Sequence, residues 1–450
     1  MSQSDLLRKY DVPAPRYTSY PTVPYWEDNM TSQIWIDHLT HWFRKSSTSW
    51  SMYVHVPFCE SLCTFCGCNN AITKNHKVEA PYVQSLIQEF QTYLQKIPEL
   101  AHRPLKHIHL GGGTPTFLSA PQLDHLMGRL FSGIQLSAQD FEASIEVDPR
   151  RTELAQLEVL RKHGFNRISL GVQDFNPEVQ RLVNRIQPFD ITKRITEESR
   201  RLGYESVNFD LIYGLAKQTP ETMRYCVEKT IELRPDRIAL YSFALVPWIK
   251  PAQRLFKDED LPRAAEKREL YEISRELLLG SGYIEVGMDH FALPSDRLAK
   301  ALHEKSLHRN FMGYTDQKTD VMLGIGVSAI SETPQSFHQN EKILPKYEEM
   351  VARAQVATLR GHSLNDLDQM RRQQILQLLT QQESQLLGEH EIQDAQEFLK
   401  EMIADGLAKI SGNKLYVTKQ GHPFMRNIAM FFDDRLRKSK PETKTFSQAI

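Results

Sequence analysis

Six short apolar runs, each followed by a stretch with helical spacing, predict an α/β fold: an incomplete (β/α)6, TIM-like barrel. Runs that are apolar nearly throughout and bounded by Gly, Pro or Asp suit strands covered on both faces, as in a parallel sheet. Chemically distinctive residues fall at the carboxyl ends of these runs, where such sheets bind ligands. Near residue 345 the pattern changes to two helices and a hairpin.

Residues 1–50 read as an irregular, polar N-terminal arm. Within it PRYTSYPT (15–22) is dense in Pro, Tyr and hydroxyls, which suits either a surface cover or a lid with Arg16 and the tyrosines facing an anionic aromatic ligand. Residues 51–340 carry the barrel pattern. MYVHV (52–56) predicts strand one, followed by a cysteine loop and a helix over 78–97. LKHIHL (105–110) predicts strand two, ending in GGGTPT (111–116), with a helix from about Pro121. ASIEV (143–147) is strand three, ending at Glu146 and Asp148, with a helix near 151–163. RISLGV (167–172) is strand four, ending at Gln173 and Asp174, with helical spacing over 176–202. VNFDLIYG (207–214) is strand five and contains Asp210; Thr219-Pro220 then starts a helix to about 233. RIALYSF (237–243) is strand six, followed by Ala244 and a long amphipathic helix near 260–280. VMLGIGVSAIS (321–331) reads as a strand and turn near the site. Residues 345–450 read as a small, mainly helical, winged-helix-like domain with a hairpin turning at Gly412-Asn413 and a tail of mixed charge that reads as partly flexible.

Composition narrows the class. The chain has 450 residues, 40% of them hydrophobic and 25% charged, as in a globular protein of two or three domains. No apolar run approaches the ~18 residues of a membrane span. The first ten residues lack the apolar core of a signal peptide, which predicts a cytoplasmic protein. The formal net charge of −1 gives no global field for nucleic acid or an anionic surface, and the C-terminal module has no dense basic stripe.

Four of the five cysteines lie in YVHVPFCESLCTFCGC (53–68). In a reducing compartment such a cluster reads as metal ligands rather than disulfides. Zinc is one reading, although structural zinc usually pairs two Cys-x-x-Cys elements far apart in sequence. The other is an iron–sulfur cube. One loop can place Cys59, Cys63 and Cys66 around one face of a cube and leave the fourth iron open, with Cys68 an alternative fourth ligand. Glycines 111–113 let backbone approach a ligand closely.

With CxxxCxxC, the chain resembles the radical S-adenosylmethionine enzymes. PRYTSYPT, YVHVPFC with CxxxCxxCxC, HLGGGTPT, IEVDPR, GVQDFN, VQRLVNR, NFDLIYGL, HRNF-x-GYT and GVSAI narrow the likeness to the oxygen-independent coproporphyrinogen III oxidases, over most of the chain. The resemblance implies that Cys59, Cys63 and Cys66 bind a [4Fe–4S] cluster. It implies that Tyr53, Gly112, Glu146 and Ile330 line an S-adenosylmethionine on that cluster. Phe65, Gly113, Thr114, Gln173, Arg185, Asp210 and Ala244 would line a second one, giving two per site. It implies oxidative decarboxylation of two propionates to vinyls, a tetrapyrrole substrate, an electron donor such as flavodoxin or ferredoxin, a monomer, and no nucleic-acid or membrane partner. A tetra-anionic substrate also needs cationic clamps; Arg16, His308 and Arg309 are the candidates, and Cys68 is the candidate catalytic residue.

The chain departs from the family pattern at Leu245, where His is common, at Met312, where some members carry Gln, and at Asp316, where a second Thr is common. These departures bear on substrate choice more than on the cluster. The competing readings are a haem-degrading or methyl-transferring relative, or a haem-binding carrier, on the same scaffold. Cys68 and the arm speak for the oxidase.

Overall fold

The structure, a computed structural model, describes residues 3–27, 29–439 and 445–448. The predicted flexible tail therefore lies partly outside the described residues. Six parallel strands follow one another across the central sheet in chain order: β1 (Trp50–Val56), β2 (Leu105–Gly112), β3 (Glu142–Val147), β4 (Arg167–Gln173), β5 (Ser206–Tyr213) and β6 (Arg237–Ser242). Helices cross between them at Glu79–Lys96, Ala120–Phe131, Leu154–Lys162 and Pro220–Leu233, and Ala264–Gly280 follows β6. The predicted βα alternation is present with ends moved by a few residues.

The antiparallel pair β7 (Ile284–Val286) and β8 (His290–Ala292) extends the sheet beyond β6. A hairpin, β9 (His308–Asn310) and β10 (Gly313–Thr315), stands apart from it. β11 (Val321–Ile325) then pairs parallel with β1, and β12 (Ile330–Thr333), β13 (Ser336–Asn340) and β14 (Thr358–Ser363) continue antiparallel beyond it. Among the described residues these make one twelve-stranded mixed sheet whose edge strands, β14 and β7, are not paired with each other. Helix Leu344–Ala352 packs against helix Glu79–Lys96, so the chain from 345 to 363 is continuous with the main sheet.

Two expectations change. The helical spacing over 176–202 resolves into two helices, Pro177–Leu182 and Phe189–Arg201. Asn184 takes a left-handed φ of 54°, and Pro188, which has no N–H to continue a helix, sits at the second N-cap. Gln180 stitches the break, its Nε2 donating to the Asp174 and Gln187 carbonyls at 2.8 Å each. The arm, read as irregular, holds helices Gln3–Tyr10 and Ser32–Phe43. In the second, Thr31 accepts from Ile34 N, and Trp35, Ile36, Leu39 and Phe43 form one buried stripe. A fully buried Leu or Phe stabilises the fold by about 1.5–3 kcal/mol, so this helix is anchored by its apolar face.

The C-terminal part has its own core: Ile375, Leu378, Leu386, Leu399, Leu407, Leu415, Phe424 and Phe431 are buried together. Its helices Asp366–Gln381, Gly388–Phe398 and Lys400–Ala404 pack with a small sheet of β15 (Glu383–Gln385), β16 (Ala408–Ser411) and β17 (Lys414–Val417). Leu6, Leu7, Tyr17 and Tyr20 of the arm belong to this same core.

Candidate active site

The cysteine loop is fixed by backbone bonds on several sides. Phe58–Cys59 pairs with Ala71–Ile72, with Ala71 N donating to Pro57 O (2.8 Å) and Thr73 N to Cys59 O (2.9 Å). Thr64 N donates to Val183 O (3.1 Å) and Asn184 Nδ2 to Leu62 O (2.7 Å), so the helix break docks on the loop. Gln253 Nε2 donates to Phe65 O (3.0 Å) and Lys250 Nζ to Cys68 O (2.7 Å). The loop meets the glycine run edge to edge: Gly113 N donates to Val56 O (2.8 Å) and Thr114 N to Phe58 O (2.9 Å). A Cβ at Gly113 would lie 2.5 Å from Pro57 O, which is why this position takes glycine.

A cavity of about 360 Å³ opens between this loop and the strand ends. Cys59, Cys63, Phe65, Cys66, Cys68, Gly112, Gly113, Thr114, Glu146, Gln173, Arg185 and Asp210, all named from the sequence as site candidates, line it. Tyr53, Ala244 and Ile330 are not among its lining residues. Tyr53 stacks on His109, with ring centroids 6.0 Å apart, and shares a 3.0 Å hydrogen bond with His55. Ile330 is buried with Trp26, Phe337 and Leu364. Ala244 lies two residues past the end of β6.

Three polar groups crowd Cys63 and its neighbours. Arg185 Nη1 lies 3.6 Å from Cys63 Sγ and 3.4 Å from Asp148 Oδ2, while its Nη2 donates to Gly171 O at 2.6 Å. Arg150 Nη2 lies 3.8 Å from the same sulfur and 2.7 Å from Asp148 Oδ2. Burial works to raise the Asp148 carboxyl, but Arg185 and Arg150 outweigh it and hold it below the usual range. Burial pushes the Cys59 thiol up to about 11, against a 3.4 Å contact with the Thr114 hydroxyl. A hydrogen bond from Cys68 holds the Cys66 thiol below its usual range, and the same bond drives the Cys68 thiol up. Asn70 Nδ2 adds a contact to Cys66 Sγ at 3.3 Å.

On the opposite wall Glu146 accepts from Gly112 N and faces His109 Nε2, each at 3.2 Å. Burial raises its carboxyl, but His109 and Gly112 win and keep it ionised. Asp210 accepts from Ser169 Oγ and Asn208 Nδ2 at 2.9 Å each, and burial with the Glu146 charge pushes it up to about 6. Gln173 stands at a left-handed φ of 70°, which turns it off the end of β4. Arg150, Asn70, His109, Tyr241 and His290 also line the cavity and were missed. Arg150 lay inside IEVDPR and Asn70 two residues past Cys68, but neither carries a signal apart from the neighbours that the fold supplies.

The three departures have places. Met312 lines the cavity. Leu245 packs with Phe65, Val183 and Phe243. Asp316 lies at the buried floor, 2.8 Å from Arg297 Nε, 3.4 Å from Arg237 Nη2 and 3.8 Å from Arg167 Nη1. The substrate candidates are not together. Arg16 and Arg309 line a second, smaller cavity, while His308 stands in the β9–β10 hairpin, and burial lowers its imidazole to about 4.

Among the described residues, no three His, Cys, Asp or Glu side chains converge closely enough to hold a single metal ion. Three thiols spread around one wall of a cavity fit a cube better than one zinc ion. The superfamily model described as Radical SAM matches residues 53–230, which places the site in the radical S-adenosylmethionine class. The chain is 40% identical to the oxygen-independent coproporphyrinogen III oxidase of Escherichia coli strain K12, over 99% of this chain and 98% of that one. It is 39% identical to the enzyme of that name from Pseudomonas aeruginosa, over 96% and 95%. The solved structure of the Escherichia coli coproporphyrinogen III oxidase, described as a radical SAM enzyme, superposes with a TM-score of 0.88, covering 94% of this chain and 98% of that one. The chain belongs to the oxygen-independent coproporphyrinogen III oxidase family. Membership implies a [4Fe–4S] cluster and S-adenosylmethionine.

Proposed function

We propose that this chain removes two propionate carboxylates from coproporphyrinogen III by oxidation, leaving vinyls and giving protoporphyrinogen IX. The observation that carries the reading is the match to the coproporphyrinogen oxidases from the arm through the C-terminal part, with twelve of the expected site residues around one cavity. For each propionate, a hydrogen atom leaves the β-carbon, carbon dioxide leaves the carboxyl, and one electron leaves to an acceptor. When bound, the cluster and S-adenosylmethionine supply the 5′-deoxyadenosyl radical that takes the hydrogen atom.

The chain's own residues bind and place. Cys59, Cys63 and Cys66 hold the cluster, and Arg185 and Arg150 supply positive charge beside Cys63. Glu146, kept ionised against the Gly112 amide, suits the amine of one S-adenosylmethionine. Asp210, Gln173, Thr114 and Phe65 suit a second. A radical reaction needs its target carbon in contact with the radical and bystander C–H bonds kept away, so placement is the main catalytic contribution. The arm and C-terminal part close the cleft, a flavodoxin or ferredoxin supplies electrons, and the chain works as a cytoplasmic monomer.

The test is anaerobic incubation of reconstituted protein with coproporphyrinogen III, reductant and S-adenosylmethionine. Vinyl product with carbon dioxide release is expected. Abundant 5′-deoxyadenosine without vinyl product would replace this reading with another radical reaction; tight haem binding without cleavage would indicate a carrier.

A further inference from the structure

His290 lines the main cavity, yet it is not among the residues assigned above to the cluster or to S-adenosylmethionine. It sits on β8, paired antiparallel with β6, opposite Ala239. Tyr241 lies two residues along β6 from Ala239, so it stands on the same face of the sheet and also lines the cavity. Phe291, on the other face, is buried in the core. Two aromatic rings hold the imidazole edge-on: Tyr241, with centroids 5.8 Å apart at 83°, and Tyr314, 5.4 Å apart at 75°. Tyr314 is itself fixed, its hydroxyl donating to Leu379 O at 2.9 Å. His290 Nδ1 lies 2.7 Å from Asp289 Oδ1. Burial works to raise the Asp289 carboxyl, but His290, Arg309 and Arg16 hold it below the usual range. An ionised carboxylate only accepts, so Nδ1 carries a proton and donates it. His290 Nε2 makes no hydrogen bond among the described residues. Asp289 lines the smaller cavity behind, so the ring turns Nδ1 toward that side and its unengaged edge toward the main cavity.

An imidazole fixed at one nitrogen by a carboxylate presents the other in a set direction, and as imidazolium it donates from both. Its best partner in a cavity is an anion, because a charge-assisted hydrogen bond is about twice as strong as a neutral one. We propose that His290 Nε2 is the donor of a carboxylate subsite in the main cavity, with Asp289 as its positioning residue. Resting on the coproporphyrinogen reading, the source the position favours is a substrate propionate other than the one at the radical site. β8 lies beyond the last of the six parallel strands, whereas the cysteine loop follows the first. A propionate held on β8 therefore leaves the cysteine side of the cavity to the reacting one. The carboxylate of S-adenosylmethionine has the same chemistry, and the test separates the two.

Coproporphyrin III, the stable oxidised probe, and its tetramethyl ester are titrated by fluorescence on the reconstituted full chain and on His290→Asn and His290→Gln. S-adenosylmethionine is titrated in parallel by equilibrium dialysis. The Asn amide reaches where Nδ1 stands and keeps the Asp289 contact; the Gln amide reaches where Nε2 stands and keeps a donor in the cavity. His290→Asn should bind the acid about tenfold more weakly, one charge-assisted hydrogen bond converted to affinity, with the ester unaffected. His290→Gln should lose only about threefold, a neutral donor standing in for a charged one. A residue that served only to hold Asp289 would give the reverse order, and that order overturns the proposal. Equal affinity of all three proteins for both the acid and S-adenosylmethionine overturns it too, as does an unmodified chain that binds acid and ester alike. Weaker S-adenosylmethionine binding in His290→Asn, with porphyrin binding unchanged, keeps the carboxylate subsite and assigns it to that molecule. Failure of the unmodified chain to bind the porphyrin at all counts against the coproporphyrinogen reading, and the S-adenosylmethionine titration still decides the subsite.

Discussion

Arg185 and Asp148 face each other at 3.4 Å across the rim of the large cavity, with the Cys63 sulfur 3.6 Å from the same guanidinium nitrogen. One side chain thereby ties the strand-three end, the helix break and the cysteine loop together.

Arg185→Ala should lower turnover roughly a hundredfold, the scale of a misplaced reactant, while the visible absorption of the cluster persists. Arg185→Lys should restore little, because a point charge cannot serve Gly171 O, Asp148 and Cys63 at once. Absorption spectra and single-turnover formation of 5′-deoxyadenosine check both statements. Wild-type turnover in the lysine variant would remove the fork geometry from the account.

Cys59→Ser, Cys63→Ser and Cys66→Ser should each lose cluster absorption. Cys68→Ser should keep the absorption and lose turnover, since three thiols suffice for the cluster and Cys68 lines the same cavity without being one of them. Iron content and absorption after identical anaerobic reconstitution decide it; a colourless Cys68→Ser protein would make Cys68 a ligand.

Asp316 is the only carboxylate bridging Arg167, Arg237 and Arg297 together at the floor among the ion pairs of the described residues. Removing it leaves three guanidiniums facing only Glu142 and Asp296, one positive charge in excess, and breaking a buried ion pair from one side costs up to about 3–5 kcal/mol. Asp316→Thr should therefore lower unfolding stability by that order in urea titrations, and compensating Arg297→Gln should recover part of it. Unchanged stability would mean that Glu142 and Asp296, both buried, balance the three arginines between them.

Glu89 gives a pH signature. Its carboxylate is fully buried and accepts from Tyr347 Oη (2.6 Å), Asn340 Nδ2 (2.7 Å) and Gly326 N (2.7 Å). Burial outweighs these bonds and raises the carboxyl to about 7. The folded value lies above the unfolded one, so the folded chain holds the proton more tightly. The contribution is complete below pH ~4.3 and is lost as pH rises through about 7, on the order of 3 kcal/mol in all. Glu89→Gln should flatten the fall of Tm between pH 5 and 8; an unchanged slope would place the titrating group elsewhere.

Much of this was legible in the chain. Local period and turn chemistry mark the six strands, and CxxxCxxC with GGGTPT mark two walls of the cavity. What escaped depends on distance in space. The spacing over 176–202 is helical throughout, and only Asn184 and Pro188 betray the break that delivers Arg185. Arg16, His308 and Arg309 share a charge type but not a place, because the hairpin turns Arg309 toward the arm and His308 away from that cavity. Asp316 looked like a departure at the substrate; its partners come from β4, β6 and helix Arg297–His303, which no local window contains.

The arm is gripped by its peptide groups. Arg309 and Arg426 hold the carbonyls of Ala14, Pro15, Arg16 and Tyr17, not their side chains. A strap clasped this way is indifferent to much of its own lettering, yet intolerant of a lost or inserted residue, which would shift every carbonyl past its clasp. Drift in this family's arm should accordingly run through substitutions, with its length held constant between residues 14 and 17.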